Sequence, residues 1–254
     1  MDYSNKFSVN RAVKYGRLFS PWIQRQLLFY PLISIIISVL SIILGYTTYG
    51  IAFTALLSFI PAILQYFGSL VFGMHTDRYI ETLVPATWCE KATFTVVYSL
   101  VVLPLLLNIP SQIIYWIATR IPSVAEGNSW IEVHQLSKAL SSGWLWNIVQ
   151  SLIPAAVCLL ALVIYSSRRI LMSVVWSIVS LIGISILGGI VGFMSAIKMV
   201  KEDINTLNNN DPEAIIDSLA SSMQPSLIIL GMAGCVILLV IVCIIFRKFR
   251  SRQV

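Results

Sequence analysis

The sequence has few charged residues: Asp, Glu, Lys and Arg make up 11% of its 254 residues, whereas hydrophobic residues make up 57%. A soluble domain needs about a quarter of its residues charged to cover its surface. The composition therefore excludes a large water-exposed domain. It predicts an all-α integral membrane protein whose main solvent is lipid.

Residue types that carry out chemistry are also sparse. The two histidines, His75 and His134, fall in loops that we place on opposite sides of the membrane, so they cannot form a metal pair with each other. There is no P-loop pattern. An intramembrane hydrolase or protease would need paired ionisable groups within the apolar runs, and none are present. We predict a non-enzyme with no catalytic residues, no metal site and no cofactor of its own.

The chain has four cysteines. Three of them, Cys158, Cys235 and Cys243, fall inside apolar runs, and Cys89 falls in a segment that we place in the cytoplasm. This distribution predicts neither a disulfide framework nor a metal cluster.

Long uncharged runs define the membrane spans. Residues 26–76 contain no Asp, Glu, Lys or Arg, a stretch of 51 residues. One helix needs roughly 20 residues to cross, so this run must fold back once, and the glycines and tyrosines of residues 45–50 mark the turn. With four further runs, the sequence predicts a six-helix transmembrane domain over residues 27–246, with spans at about 27–46, 51–72, 92–118, 143–165, 170–196 and 225–246.

The basic residues predict the orientation. If the loops alternate sides, 13 of the 17 Lys and Arg residues share one side with the N-terminal arm, residues 1–26, and the tail, residues 247–254. Cytoplasmic loops carry an excess of Lys and Arg, so both termini are predicted to be cytoplasmic. This distribution also explains the net charge of +6 better than nucleic-acid binding, because the basic residues lie at the ends of apolar runs.

Residues 8–19 have the periodicity of an amphipathic helix. At 100° per residue, Arg11, Lys14 and Arg17 share one arc, and Val9, Ala12, Val13, Tyr15 and Phe19 share the other. We predict a helix on the inner membrane surface, with Ser8 as its N-cap. Ser20 and Pro21 are predicted to be the cap and first position of the next helix. A charged juxtamembrane tail without helix is the alternative.

The segment 75–91, between spans two and three, holds most of the polar detail in the first half of the chain. Thr87 and Glu90 have the spacing of a capping box that starts the third span. Pro85 separates that helix from a short preceding one. The candidate site residues of this segment are His75, Asp77, Arg78, Tyr79, Glu81, Pro85, Glu90 and Lys91.

The loop 198–224 is the longest region on the opposite side. Asp211, Pro212 and Glu213 are typical of a helix start, and Ile215, Ile216 and Leu219 would form its apolar side. We predict a short outer helix before the sixth span, which serves either as a lid over an exit path or as a plain connector.

The spans contain polar and small residues that predict helix packing. Ser34, Ser38 and Ser41 share one face of span one, and Gln65, Asn108 and Gln112 lie in spans two and three. They either hydrogen-bond between helices or line a path for an amphiphilic substrate. A close contact within the chain or a dimer seam is predicted at the small residues Gly188, Gly192, Gly231 and Cys235.

This layout resembles the membrane subunit of a bacterial type 2 ATP-binding-cassette exporter. In that family a basic surface helix precedes six spans, a coupling helix lies between spans two and three, and a short outer helix precedes span six. Residues 8–19, 75–84 and 212–221 occupy those places. Residues 83–91 are also similar to the family sequence leucine, proline, small, serine, two variable, glutamate, lysine; here Val84 is inserted and Thr87 replaces the serine.

The resemblance implies a permease that binds a separate ATPase subunit, which would hold the ATP and magnesium. It also implies a homodimer, or pairing with a related permease, in the bacterial cytoplasmic (inner) membrane. One alternative is a membrane protein without transport, such as an immunity, sensor or assembly factor. A second alternative is an intramembrane enzyme.

Overall fold

The computed structural model describes residues 7–47, 49–74, 86–128, 130–131, 144–165, 168–202 and 212–251. The secondary structure in these ranges is helical. The helices, in chain order, are α1 (Val9–Arg17), α2 (Ser20–Leu44), α3 (Gly50–Met74), α4 (Trp88–Val97), a π-helical turn (Tyr98–Val102), α5 (Leu103–Thr119), α6 (Pro122–Ala125), α7 (Trp144–Ile164), α8 (Arg169–Glu202) and α9 (Pro212–Ser251).

Four of these helical segments are long and apolar enough to cross a membrane: Ser20–Leu44, Trp88–Thr119, Arg169–Val191 and Gln224–Ser251. Two others, α3 and α7, contain the shorter apolar stretches Ile63–Phe72 and Val149–Ile164. Large apolar side chains are exposed along the outside of α2, α5, α8 and α9, as expected where the surrounding solvent is lipid. The chain is an all-α, multi-pass membrane protein.

Helix α7 lies in the middle of the second half of the bundle, packed against α3, α8 and α9. Its small residues Ala155 and Ala156 are fully buried. At Gly234 of α9, an added Cβ would lie 2.1 Å from the side chain of Val149. Close approach of α9 to α7 therefore requires glycine at this position.

The predicted serine face of span one packs inside the protein. Ser34, Ser38 and Ser41 are all buried. Ser34 donates a hydrogen bond to the carbonyl of Leu107, and the hydroxyls of Ser38 and Ser111 are 3.0 Å apart. These bonds join α2 to α5. Ser34 and Ser38 therefore form interhelix hydrogen bonds, one of the two roles predicted for the polar residues of the spans.

The predicted break at residues 45–50 is confirmed, because α2 ends at Leu44 and α3 begins at Gly50. Gly45 has an ordinary helical φ of −58°, so it is not required there for backbone freedom. It is required for space, since an added Cβ would lie 2.3 Å from Oδ1 of Asn128. Asn128 is buried, donates to the carbonyl of Ile42 at 2.9 Å and accepts from the N–H of Trp130 at 3.0 Å.

Two predicted helix boundaries differ from the structure. The outer helix predicted at 212–221 is not separate, because α9 continues from Pro212 through Pro225 to Ser251. An interior proline removes one helical hydrogen bond, and residues 214–224 contain no glycine that would end the helix. Ser20 is the first residue of α2, and Phe19, rather than Ser20, occupies the N-cap position.

Candidate functional site at the N-terminal arm

Helix α4 begins at the predicted capping box. The side chain of Thr87 accepts a hydrogen bond from the Glu90 N–H at 3.3 Å, and the Thr87 N–H donates to the Glu90 carboxylate at 2.8 Å. Both halves of the box are therefore present. This local pattern positions the Glu90 carboxylate at the start of the helix.

The same carboxylate binds the start of α1. Arg11 donates from Nε to Oε1 at 3.0 Å and to Oε2 at 3.2 Å, and its Nη2 lies 2.9 Å from Oε1. The backbone N–H of Ser8 donates to Oε1 at 2.7 Å. Ser8 occupies the N-cap position of α1, but its side chain makes no capping hydrogen bond. The Glu90 carboxylate, which is 82 positions away in the sequence, thus accepts a hydrogen bond from the backbone N–H at the N-cap of α1.

The Glu90 side chain is completely buried, whereas 23% of the Arg11 side chain is exposed. Glu90 lies at the start of the membrane-crossing segment Trp88–Thr119. The charge of its carboxylate is balanced by the guanidinium of Arg11.

Five aromatic rings contact one another and join α1 to three other segments. Tyr15 contacts Phe19 and Phe94 edge-on, with ring centroids 5.4 and 6.1 Å apart. Phe19 contacts Phe72 at 5.1 Å, and Phe72 contacts Tyr98 at 5.6 Å. Such edge-to-face pairs add to the free energy gained from burial. We call Arg11, Glu90 and these five rings the arm site.

The fit between α1 and α4 is close. An added Cβ at Gly16 would lie 2.2 Å from Cζ of Phe94. The Nζ of Lys91, a predicted site residue, is 5.9 Å from the centre of the Tyr15 ring, in cation–π range. Lys91 is buried, with 5% of its surface exposed. The arm helix is therefore docked on the bundle through side chains of both α1 and α4.

The residues that α1 buries and exposes differ in part from the two predicted arcs. Lys14 and Arg17 are exposed, as their arc predicts, but Arg11 turns to Glu90. On the apolar arc, Ala12, Tyr15 and Phe19 are buried in protein, while Val9 and Val13 remain 65% and 47% exposed. Periodicity identifies an apolar face, but does not tell whether protein or lipid covers it.

The arm site contacts both flanks of the predicted coupling segment. Phe72 lies near the end of α3 and contacts Phe19; Glu90 lies at the start of α4 and binds Arg11. The other predicted site residues of this segment, His75, Asp77, Arg78, Tyr79, Glu81 and Pro85, fall outside the residues that the structure describes. The structure thus brings residues on both sides of the segment together with the N-terminal arm.

A buried hydrogen-bond network adjoins the arm site. Its only mark in the sequence is a glutamine near the start of an apolar run. Gln26 donates to the carbonyl of Gly68 at 3.2 Å and accepts from the hydroxyl of Tyr98 at 2.7 Å. Gln26 is 7% exposed. It therefore links α2 to α3 and to the π-helical turn, and Tyr98 belongs both to this network and to the arm site.

The predicted small-residue contacts lie in α8 and α9. Gly231 is buried, Gly188 is half-buried, and Gly192 lies within α8. Cys235 is half-buried and packs against the cluster of Val149, Ile153, Ile184 and Leu227. Two other glycines of α8, Gly183 and Gly189, face open space, because an added Cβ would meet no atom within 4 Å.

Within the described ranges, no group of three or more His, Cys, Asp or Glu side chains could hold a metal ion. The comparisons with known proteins identify no relative: no protein-family model matches the chain, and no curated protein or solved structure matches it. The arm site is therefore interpreted from its own geometry.

Proposed function

We propose that this chain is the transmembrane permease subunit of an ATP-binding-cassette export system, in which a separate subunit hydrolyses ATP. In this proposal the chain crosses the bacterial inner membrane six times, with both termini in the cytoplasm. It works as a homodimer or with a related permease. The observation that carries the proposal is the arm site, in which residues on both sides of segment 75–85 contact the N-terminal arm: Glu90 binds Arg11, and Phe72 contacts Phe19.

The contacts suggest how movement of that segment would reach the membrane. A displacement of residues 75–85 acts on Phe72 of α3 and on Glu90 of α4. Glu90 is bound to Arg11 of α1, and Phe72 contacts Phe19, which with Leu18 links α1 to α2. Three membrane segments would therefore respond together, because packed helices of this kind shift as units.

The predicted orientation puts the required partner surface on the same side. The exposed Lys14 and Arg17 of α1 and the basic tail of α9 lie on the side with 13 of the 17 basic residues. An excess of Lys and Arg is the usual mark of the cytoplasmic side. An ATPase there would meet segment 75–85 directly.

Co-purification tests the proposal. The tagged chain is co-expressed with the ATP-binding-cassette ATPase encoded beside its gene and purified in detergent. We expect the ATPase to be retained, and Arg78→Glu to reduce retention by about tenfold or more, because a buried charge pair or docking contact at an interface is worth several kcal/mol. Arg120→Glu makes the same charge change on the predicted outer side and should leave retention unchanged.

If the wild-type chain retains no ATPase, or if both substitutions act equally, the transport proposal fails. A stable chain without an ATPase would then favour an immunity, sensor or assembly role, with the bundle as an anchor.

A further inference from the structure

The outward face of α5 carries two carboxamide side chains within a membrane-crossing segment. Asn108 and Gln112 are both exposed and lie one helical turn apart. The Asn108 Nδ2 donates to the carbonyl of Pro104 at 2.8 Å. Among the described residues, the Gln112 carboxamide has no hydrogen-bond partner, and the Oδ1 of Asn108 accepts none.

Their depth makes this exposure costly in lipid. Trp116 and Arg120 mark the end of the segment, with the guanidinium 5.4 Å from the centre of the indole ring, an arrangement typical of the membrane interface. At 1.5 Å per residue, Gln112 lies about 6 Å deeper than Trp116, and Asn108 about 12 Å deeper. A bilayer core about 30 Å thick offers no hydrogen-bond donor or acceptor at those depths.

The residues around the two carboxamides form a continuous exposed face of α5. Asn108, Ile109, Gln112, Ile113 and Trp116 line a shallow groove of about 310 Å³. Leu105 continues the face one turn earlier and is 49% exposed. The positions recur at three and four residues, which is the spacing of a helix that packs against another helix.

We propose that this face of α5 is the seam of a homodimer, formed with a second copy of this chain. A two-fold axis along the membrane normal places each residue opposite its own copy at the same depth. A carboxamide carries both a donor NH₂ group and an acceptor oxygen. Gln112 can therefore hydrogen-bond to Gln112 of the second copy across such an axis, and Asn108 to Asn108. A lipid tail offers neither group, and an unrelated partner would need matching polar groups at both depths.

The seam depends only on α5 crossing the membrane. It would be the contact of the homodimer named in the proposed function, but it requires neither transport nor an ATPase. It also differs from the face of α8 that carries Gly183 and Gly189, where an added Cβ would meet open space. The two faces make different predictions for cross-linking.

Cysteine cross-linking in native membranes locates the seam. In a chain whose four cysteines are replaced by alanine, single cysteines are introduced as Gln112→Cys, Asn108→Cys, Ile186→Cys on α8 and Ile36→Cys on α2. The last two positions are exposed, at 57% and 48%. We expect disulfide-linked dimers at 112 and 108 and only background at 186 and 36. Dimers at 186 alone, or none at any position, overturn the proposal.

The role of the carboxamides is measured separately, by energy transfer between labelled chains diluted in liposomes. Replacing both groups (Asn108→Leu with Gln112→Leu) should weaken dimerisation by about tenfold, in the range of interhelical polar contacts. The control is Ile109→Leu with Ile113→Leu on the same face, which should change dimerisation little. An unchanged monomer–dimer balance in the first variant contradicts the seam. The readout requires no ATPase, so failure here is distinct from failure of the transport proposal.

Discussion

Arg11 and Glu90 lie 79 positions apart in the sequence, and their side chains meet with 2.9 Å between Nη2 and Oε1. Glu90 serves two helix starts from this position. It completes the capping box of α4 with Thr87 and accepts the N–H of Ser8 at the start of α1. One carboxylate thus fixes the N-terminal helix to the segment that follows the predicted coupling region.

Substitution of Glu90 should separate its two roles. Glu90→Gln keeps an acceptor suited to the capping box but removes the charge that balances Arg11. Glu90→Ala removes both, leaving the N–H groups of Ser8 and Thr87 without their acceptor. We expect a loss of about 1–2 kcal/mol for Gln and about 3 kcal/mol for Ala. Thermal unfolding in detergent measures both, and Lys14→Met, on the exposed face, serves as the control. Equal losses for Gln and Ala would show that the capping acceptor contributes nothing beyond the charge, and no loss for Gln would show that the charge contributes nothing beyond the cap.

A methyl group at Gly16 should loosen the arm. The added Cβ of Gly16→Ala would lie 2.2 Å from Phe94, and that ring is held by Tyr15, Phe72 and Tyr98. Overpacking of this kind costs about 1–3 kcal/mol. Protease cleavage within the arm, measured in detergent, should become faster. Gly183→Ala is the matched control, since its Cβ meets open space, and it should leave the cleavage rate unchanged. A resistant Gly16→Ala arm would mean that the α1–α4 contact is looser than the structure shows.

The opposite end of α2 offers an independent packing test. Gly45→Ala would place its Cβ 2.3 Å from Oδ1 of Asn128 and should destabilise the protein. Asn128→Ala removes two hydrogen bonds and should cost about 1–3 kcal/mol. Since the second change removes the atom that the first one meets, the double variant should lose less than the sum of the two single losses. Unfolding temperatures of the three variants measure this, and strict additivity would refute the contact.

The features that the sequence predicted are those set by local chemistry. Apolar runs located the helices, residues 45–50 marked the first turn, and the spacing of Thr87 and Glu90 predicted the capping box. The Arg11–Glu90 pair was not predictable, because either residue alone suits a surface position. The continuation of α9 through Pro225 was also missed, since a helix-start pattern at Pro212 tells where a helix begins and not where it ends. What covers each apolar face depends on tertiary packing, which periodicity does not encode.

The most direct test of the account is photo-cross-linking from the coupling segment. A photoreactive phenylalanine is placed at Tyr79 and, as a control, at Tyr49, which is 72% exposed and lies at the predicted outer end. The chain is irradiated in membranes with the ATP-binding-cassette ATPase encoded beside its gene. We predict that the residue at 79 captures the ATPase and that the residue at 49 does not. No capture at 79, or equal capture at both positions, would contradict the assignment of this chain as a permease driven through segment 75–85.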